Sequence, residues 1–209
     1  VALRNPIRPE VAASLAEAVR ALELCSCAEV VVEVRSRSGS YAHADGRFGA
    51  VLAFVALIVL LFSPWAFAPV WVAIDVALVY GLGLLLARRS DSVRRLMTTE
   101  RERMTQLRQV AMATFHDRGV ANTEGETGVL VYLSILERHI EVLADRGVLV
   151  AVPPLEWNLI IDGVRRSRTA TPETLVELIR ALMPLLGTCL PVREGDRNEL
   201  ANEPRYVPE

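Results

Sequence analysis

The sequence contains no lysine: all 23 of its basic residues are arginine. Few of them stand where a guanidinium fork is plainly demanded, so the absence reads as a compositional habit of the source genome. Against 25 acidic residues they leave a formal charge of −2, which gives no strongly basic face for nucleic acid. Cysteine is scarce too. Cys25 and Cys27 hint at a metal or redox pair, but zinc needs about four ligands and Cys189 is the only other thiol. The plain expectation is small buried thiols, kept reduced in a cytoplasmic setting. The three histidines, His43, His116 and His139, fall on a tether, a helix end and a strand start, so no catalytic histidine is expected. No cofactor is implied.

Charge itself is missing from Phe48 to Ala87, where Asp75 is the sole formal charge in forty residues. Two apolar runs of about 18 residues, each reaching roughly 27 Å as a helix, flank the link Ser63 to Pro69. That link has two prolines and no charge, which breaks the helix and leaves little polar surface to carry across. The pattern predicts a transmembrane helical hairpin. The run starts near residue 48, so a signal peptide is not expected. Arg35, Arg37 and Arg47 precede the first span, and Arg88, Arg89, Arg94, Arg95, Arg101 and Arg103 follow the second, while the link has no arginine. The positive-inside rule therefore predicts an inner-membrane protein with both termini and the soluble mass in the cytoplasm.

With 52% apolar residues the chain is too oily for an ordinary soluble domain, yet about 170 residues outside the hairpin suffice for one. Pro9 opens a helix to about Leu24 whose apolar positions Val11, Leu15, Ala18, Val19 and Leu22 recur at helical spacing. Val30, Val31, Val32 and Val34 predict a central strand covered on both faces. Ser38 to Arg47 is polar and reads as the tether into the membrane. Ser90, Asp91 and Ser92 are candidate N-caps for one helix from about Val93 to His116, closed by Gly119. Gly128 to Ser134 and His139 to Ala144 read as two strands joined so tightly that they must be antiparallel neighbours. Helices follow from Pro153 to about Arg166 and from Pro172 to Leu186, the second capped by Thr171 with Gly187 beyond it. The tail from Arg193 to Glu209 has almost no apolar content and should be disordered alone. The plan is residues 1–47, helix and first strand of a soluble α/β domain; 48–87, the hairpin; 88–191, the rest of the domain; and 192–209, a polar tail.

The run AEVVVEV (Ala28 to Val34), the apolar pair after it, GETGVLVYLSILERHIEVLADRGV (Gly125 to Val148) and PPLEWNLIIDGV (Pro153 to Val164) resemble the TPM domain family, in its bacterial branch with two spans inside the domain. The resemblance covers roughly residues 9–187 and is most specific from Thr127 to Gly147. Gly128 matches the glycine that starts the family's second strand, Arg138 the arginine of its strand connection, and Gly147 a glycine after the third strand. The resemblance implies a small α/β/α sandwich, here interrupted by the hairpin, and an accessory role on larger membrane assemblies more often than catalysis. The family includes a thylakoid lumen protein of photosystem II repair described as an acid phosphatase, and an auxiliary subunit of acetylcholine receptors. Members credited with calcium or phosphate chemistry are acidic and glycine-rich after the third strand and after the next helix. Here those places read ADRGVLVAVPP and RRSRTATPE, the second basic.

Among carboxylates, Asp145, Asp162 and Glu141 are the candidates for a metal or acid/base site, Asp145 because it ends a strand. Salt bridges to Arg146 or Arg165 are the competing reading. Asp75 has three readings: a hydrogen bond to a partner or between helices, placement at the outer interface about 8 Å from the loop end, or ion conduction. Trp65, Phe67 and Trp71 suit the membrane boundary. Ala50, Ala53, Ala56, Ala77, Gly81 and Gly83 offer small faces for helix packing. The expected function is a non-catalytic, membrane-anchored auxiliary or assembly subunit. It would dock on a larger membrane complex, photosynthetic or respiratory by analogy, with Asp75, Trp65, Trp71, Arg205 and Tyr206 as contact residues. The alternative is a metal-dependent phosphatase-like enzyme.

Overall fold

The computed structural model describes residues 7–65, 67–166, 170–193, 195 and 197–208. In chain order the elements are α1 (Pro9–Glu23), β1 (Glu29–Arg35), α2 (Ala42–Leu61), α3 (Pro69–Arg88), α4 (Asp91–Met97), α5 (Glu100–Asp117), a 3₁₀ turn (Val120–Asn122), β2 (Gly128–Ser134), β3 (His139–Ala144), α6 (Arg146–Ala151), α7 (Pro154–Arg166), α8 (Pro172–Cys189) and β4 (Arg205–Val207). The chain divides into two units: Val1–Ser38 with Thr105–Glu209, and Gly39–Met104. Helix α5 is shared at the Met104–Thr105 boundary.

The first unit is mixed α/β around a four-stranded sheet of order β3-β2-β1-β4. β1 runs parallel to β2 from the pair Glu29/Gly128 to Arg35/Ser134. β2 and β3 are antiparallel, as their tight connection requires, and Arg138 in that connection takes φ 53°. Both faces of β2 are covered. Val129, Val131 and Leu133 enter one core with Leu15, Val19 and Leu22 of α1, Trp157 and Ile161 of α7, and Leu175, Leu178, Ile179 and Leu182 of α8. Leu130 and Tyr132 point the other way, onto Leu107, Ala111 and Phe115 of α5 and Val120. Each of these large apolar side chains contributes about 1.5–3 kcal/mol by burial.

Several features depart from the sequence expectation. The single helix over 93–116 is two, because Thr99 starts a new one: its hydroxyl accepts from the Glu102 N–H at 3.2 Å and the Glu102 carboxylate accepts from the Thr99 N–H at 2.9 Å. That is a capping box inside an otherwise continuous apolar stripe. Asp145 caps the short helix α6, where only an opening of α7 was expected. Gly187 lies within α8 instead of ending it; it serves a close approach, since a Cβ there would meet the Cys25 carbonyl oxygen at 3.3 Å. The polar tail carries β4, parallel to β1 over Glu33/Arg205 to Arg35/Val207. Two glycines mark close backbone approach: a Cβ on Gly128 would lie 2.0 Å from the Val120 carbonyl oxygen, and one on Gly147 2.6 Å from that of Gly125.

In the second unit α2 and α3, 20 residues each, are long and apolar enough to cross a membrane. Of the polar stretch read as a tether, Ala42 to Arg47 already belongs to α2. The helices close on each other through Gly49, Ala53, Gly83 and Ala87; a Cβ on Gly83 would stand 2.7 Å from the Gly49 Cα. Of the small residues expected at this seam, Ala53 and Gly83 are buried, whereas Ala50 and Ala77 are exposed. Phe54, Val59, Leu61, Val70, Leu78 and Leu82 are exposed. Arg94, expected to be a flanking surface charge, is instead buried against Asp45, with Nε to Oδ1 at 3.0 Å and Nη2 to Oδ2 at 3.4 Å.

Candidate functional site

The richest cluster of polar side chains lies at the carboxyl ends of the two central parallel strands, on the face covered by α5. Register pairs Glu33 with Tyr132 and Arg35 with Ser134, so strand alternation turns all four side chains the same way. Glu33 is fully buried. Its Oε1 accepts from Arg35 Nε at 2.6 Å, and its Oε2 accepts from Arg118 Nε and Nη2 at 2.8 and 2.7 Å. Arg35 also donates through Nη2 to the Thr114 hydroxyl at 3.2 Å, which fastens α5 to the sheet.

The cluster continues into the loops. The Ser38 N–H donates to Glu137 Oε1 at 3.0 Å, the Ser134 hydroxyl donates to Glu137 Oε2, and the Ser38 and Tyr132 hydroxyls meet at 2.8 Å. Burial pushes the Tyr132 phenol up to about 12, so it stays protonated. Both carboxylates of this layer are held on both oxygens by fixed donors. Such an arrangement pins the strand ends and α5 in one geometry. It presents no oxygen poised as a free base.

Sequence reasoning missed this layer because Glu33 lies 85 positions from Arg118 and is brought beside Tyr132 only through β1–β2 register. The one available signal was Glu33, a charge set inside a run of valines.

The three candidate carboxylates are not brought together. Glu141 faces α5, with Oε2 3.3 Å from His139 Nε2 and Oε1 3.8 Å from Arg108 Nε. Asp162 is exposed on α7, a helix that packs on the opposite face of the sheet. Asp145 accepts from the Arg146 N–H at 2.7 Å through Oδ1, and its buried Oδ2 has no partner. Among the described residues no group of three or more histidine, cysteine or acidic side chains could hold a metal ion.

Of the cysteines, Cys27 is buried as expected, Cys189 is partly buried, and Cys25 is exposed because it sits in the turn after α1. His43 and His116 are exposed and His139 is partly buried. Asp75 is partly buried on α3. Trp65 and Trp71 are 74% and 62% exposed around the link, and Arg205 and Tyr206 form β4. The alternative partner Arg165 has a side chain outside the described residues.

Fold and polar layer together define a mixed α/β domain with a buried ionic centre. No family model matches the chain, and no curated protein matches it. Among solved structures it is similar to the NMR structure of the BA42 protein from the psychrophilic bacterium Bizionia argentinensis, with a TM-score of 0.57 and 14% identity over 96% of this chain and 95% of that one. At that identity the likeness shows a common fold alone.

Proposed function

We propose that this chain is a non-catalytic, membrane-anchored auxiliary or assembly subunit that docks on a larger membrane protein complex. The observation that carries the reading is the outer surface of α2 and α3. Their inner faces close through small residues, while a belt of exposed leucine, valine, phenylalanine and tryptophan runs the length of two 20-residue helices. Water disfavours so large an apolar surface, and a bilayer or an intramembrane partner accepts it. On this reading the α/β unit is a TPM-type α/β/α sandwich carrying a transmembrane hairpin between β1 and α5. The arginine-free link faces outward and both termini face the cytoplasm. Asp75, Trp65 and Trp71 are the hairpin's polar and interfacial contacts, and by family analogy the complex is photosynthetic or respiratory. The test is purification from native membranes in gentle detergent through a tag, with mass spectrometry of whatever co-migrates. A stoichiometric partner set supports the reading, and a lone monodisperse protein refutes it.

A metal-dependent phosphatase of TPM type is the second reading, favoured by one observation, the unpartnered buried Oδ2 of Asp145. It requires phosphate-ester hydrolysis by the purified protein that Asp145→Asn abolishes.

A further inference from the structure

The edge of β1 opposite β2 is covered by the chain's own polar tail. β4 is only three residues long, pairing Arg205, Tyr206 and Val207 with Glu33, Val34 and Arg35, and the Ser36 N–H donates to the Val207 carbonyl at 3.3 Å. Upstream, side chains replace strand pairing. Glu23 accepts from the Val30 N–H and from Asn198, both at 3.4 Å, and from Asn202, while Glu29 Oε2 accepts from the Leu200 N–H at 3.2 Å. Leu200 and Tyr206 pack against the two cores, but open grooves flank the tail. One groove of about 470 Å³ is lined by Val31, Val32 and Arg118 together with Leu200, Pro204 and Tyr206. Another, of about 380 Å³, lies among Arg20, Glu23, Glu29, Arg197 and Asn198. The tail thus combines polar composition, sparse backbone pairing and solvent-open flanks, which places it at the low-stability end of local opening.

We infer that the β1 edge is a strand-acceptor site held closed by residues 198–207, and that it takes an extended segment of a partner polypeptide in parallel register once the tail lifts. Main-chain groups of Val34 and the N–H of Ser36, which face the β4 side, supply the affinity of such strand addition. Selectivity comes from the two faces that the tail now occupies. The residue opposite Glu33, now the exposed Arg205, lies on the α5 face, where Arg35 and Arg118 already hold both carboxylate oxygens, so a polar side chain is accepted there. An aromatic or aliphatic residue opposite Val34 lies on the face of the main core, where Tyr206 now packs. The inference rests on the docking role proposed above and locates its contact on the sheet edge. The tail is then the gate of that contact.

The test uses the full chain in lipid nanodiscs. Amide exchange of 205–207 and Ser36 is expected about a hundredfold faster than that of Val129 to Leu133. A labelled peptide of residues 198–208, NELANEPRYVP, should bind the Asn198→Ala/Asn202→Ala variant about tenfold more tightly than wild type, and a scrambled peptide should not bind. Exchange as slow as in β2, or equal binding of native and scrambled peptides, overturns the inference. A concentration-dependent dimer of the variant that the peptide dissolves also overturns it, assigning the edge to a second copy. Native-peptide binding with no co-purifying complex sinks the auxiliary-subunit reading and leaves the acceptor site standing.

Discussion

Replacing Glu33 by glutamine should cost far more than its single charge suggests. The carboxylate is fully buried and receives three guanidinium hydrogen bonds of 2.6–2.8 Å, whereas the side chains of Arg35 and Arg118 are 28% and 24% exposed. Removing one partner of a buried ion pair costs about 3–5 kcal/mol, because the opposite charge is left unpaired. Here the two arginines partly rehydrate, which brings the expectation to the lower end, about 3 kcal/mol. The glutamine amide also points N–H groups at a guanidinium donor, so isosteric shape does not rescue the site. At about 2–4 °C per kcal/mol for a protein of this size, Tm should fall by about 6–12 °C. The exposed pair Arg8–Glu173, at 2.6 Å with side chains 67% and 48% exposed, is the control. Its Glu173→Gln variant should lose less than about 1 kcal/mol. Thermal unfolding of both full-length variants by far-ultraviolet circular dichroism decides. A Glu33→Gln loss no larger than that of Glu173→Gln refutes burial as the source of the effect.

Three further outcomes are expected. Burial pushes Glu23 up to about 7 from an ordinary 4.5, so its contribution to stability is complete below 4.5 and is lost as pH rises through 7. Protection of residues 198–207 should therefore decline between pH 5 and 8, and Glu23→Gln should flatten that decline in pH-corrected amide exchange. Gly128→Ala should destabilise by about 3 kcal/mol or more, since its Cβ would collide with the Val120 carbonyl, and denaturant unfolding measures the loss. Gly83→Ala should part α2 from α3 at a cost of about 1–3 kcal/mol, read as lower thermal stability in detergent, because its Cβ would meet backbone and not a flexible side chain.

Strands β1 and β2 were legible because apolar runs of seven residues admit few other structures, and β3 because six residues of alternating character follow β2 through a tight connection. Their antiparallel or central placement followed from connection length and from burial on both sides. The helix break at Thr98 and Thr99 was hidden by an apolar stripe that continues across it, although the Thr99-to-Glu102 spacing of a capping box was present. The tail reads as disordered because its few apolar residues cannot pay for ordering in isolation, and only the open edge of β1 gives Arg205–Val207 a partner. The candidate site was the least legible part. Individual carboxylates such as Asp145 and Asp162 attract attention by position along the chain, whereas the buried centre around Glu33 and Glu137 exists only when distant segments meet.

The division of the α/β unit in sequence also governs how it can be made. β1 ends at Arg35, but its neighbour β2 begins at Gly128 and its other neighbour β4 at Arg205, with both long apolar helices synthesised in between. At about 5–20 residues per second, roughly 5–20 s separate the synthesis of β1 from that of β2. During that interval Val30 to Val34 has neither edge paired and only α1 available to cover one face, so this segment is exposed to misassembly. Closure of the sheet therefore waits on segments made well after β1, and a ribosome stalled between α3 and β2 leaves an intermediate whose first strand still lacks its neighbours.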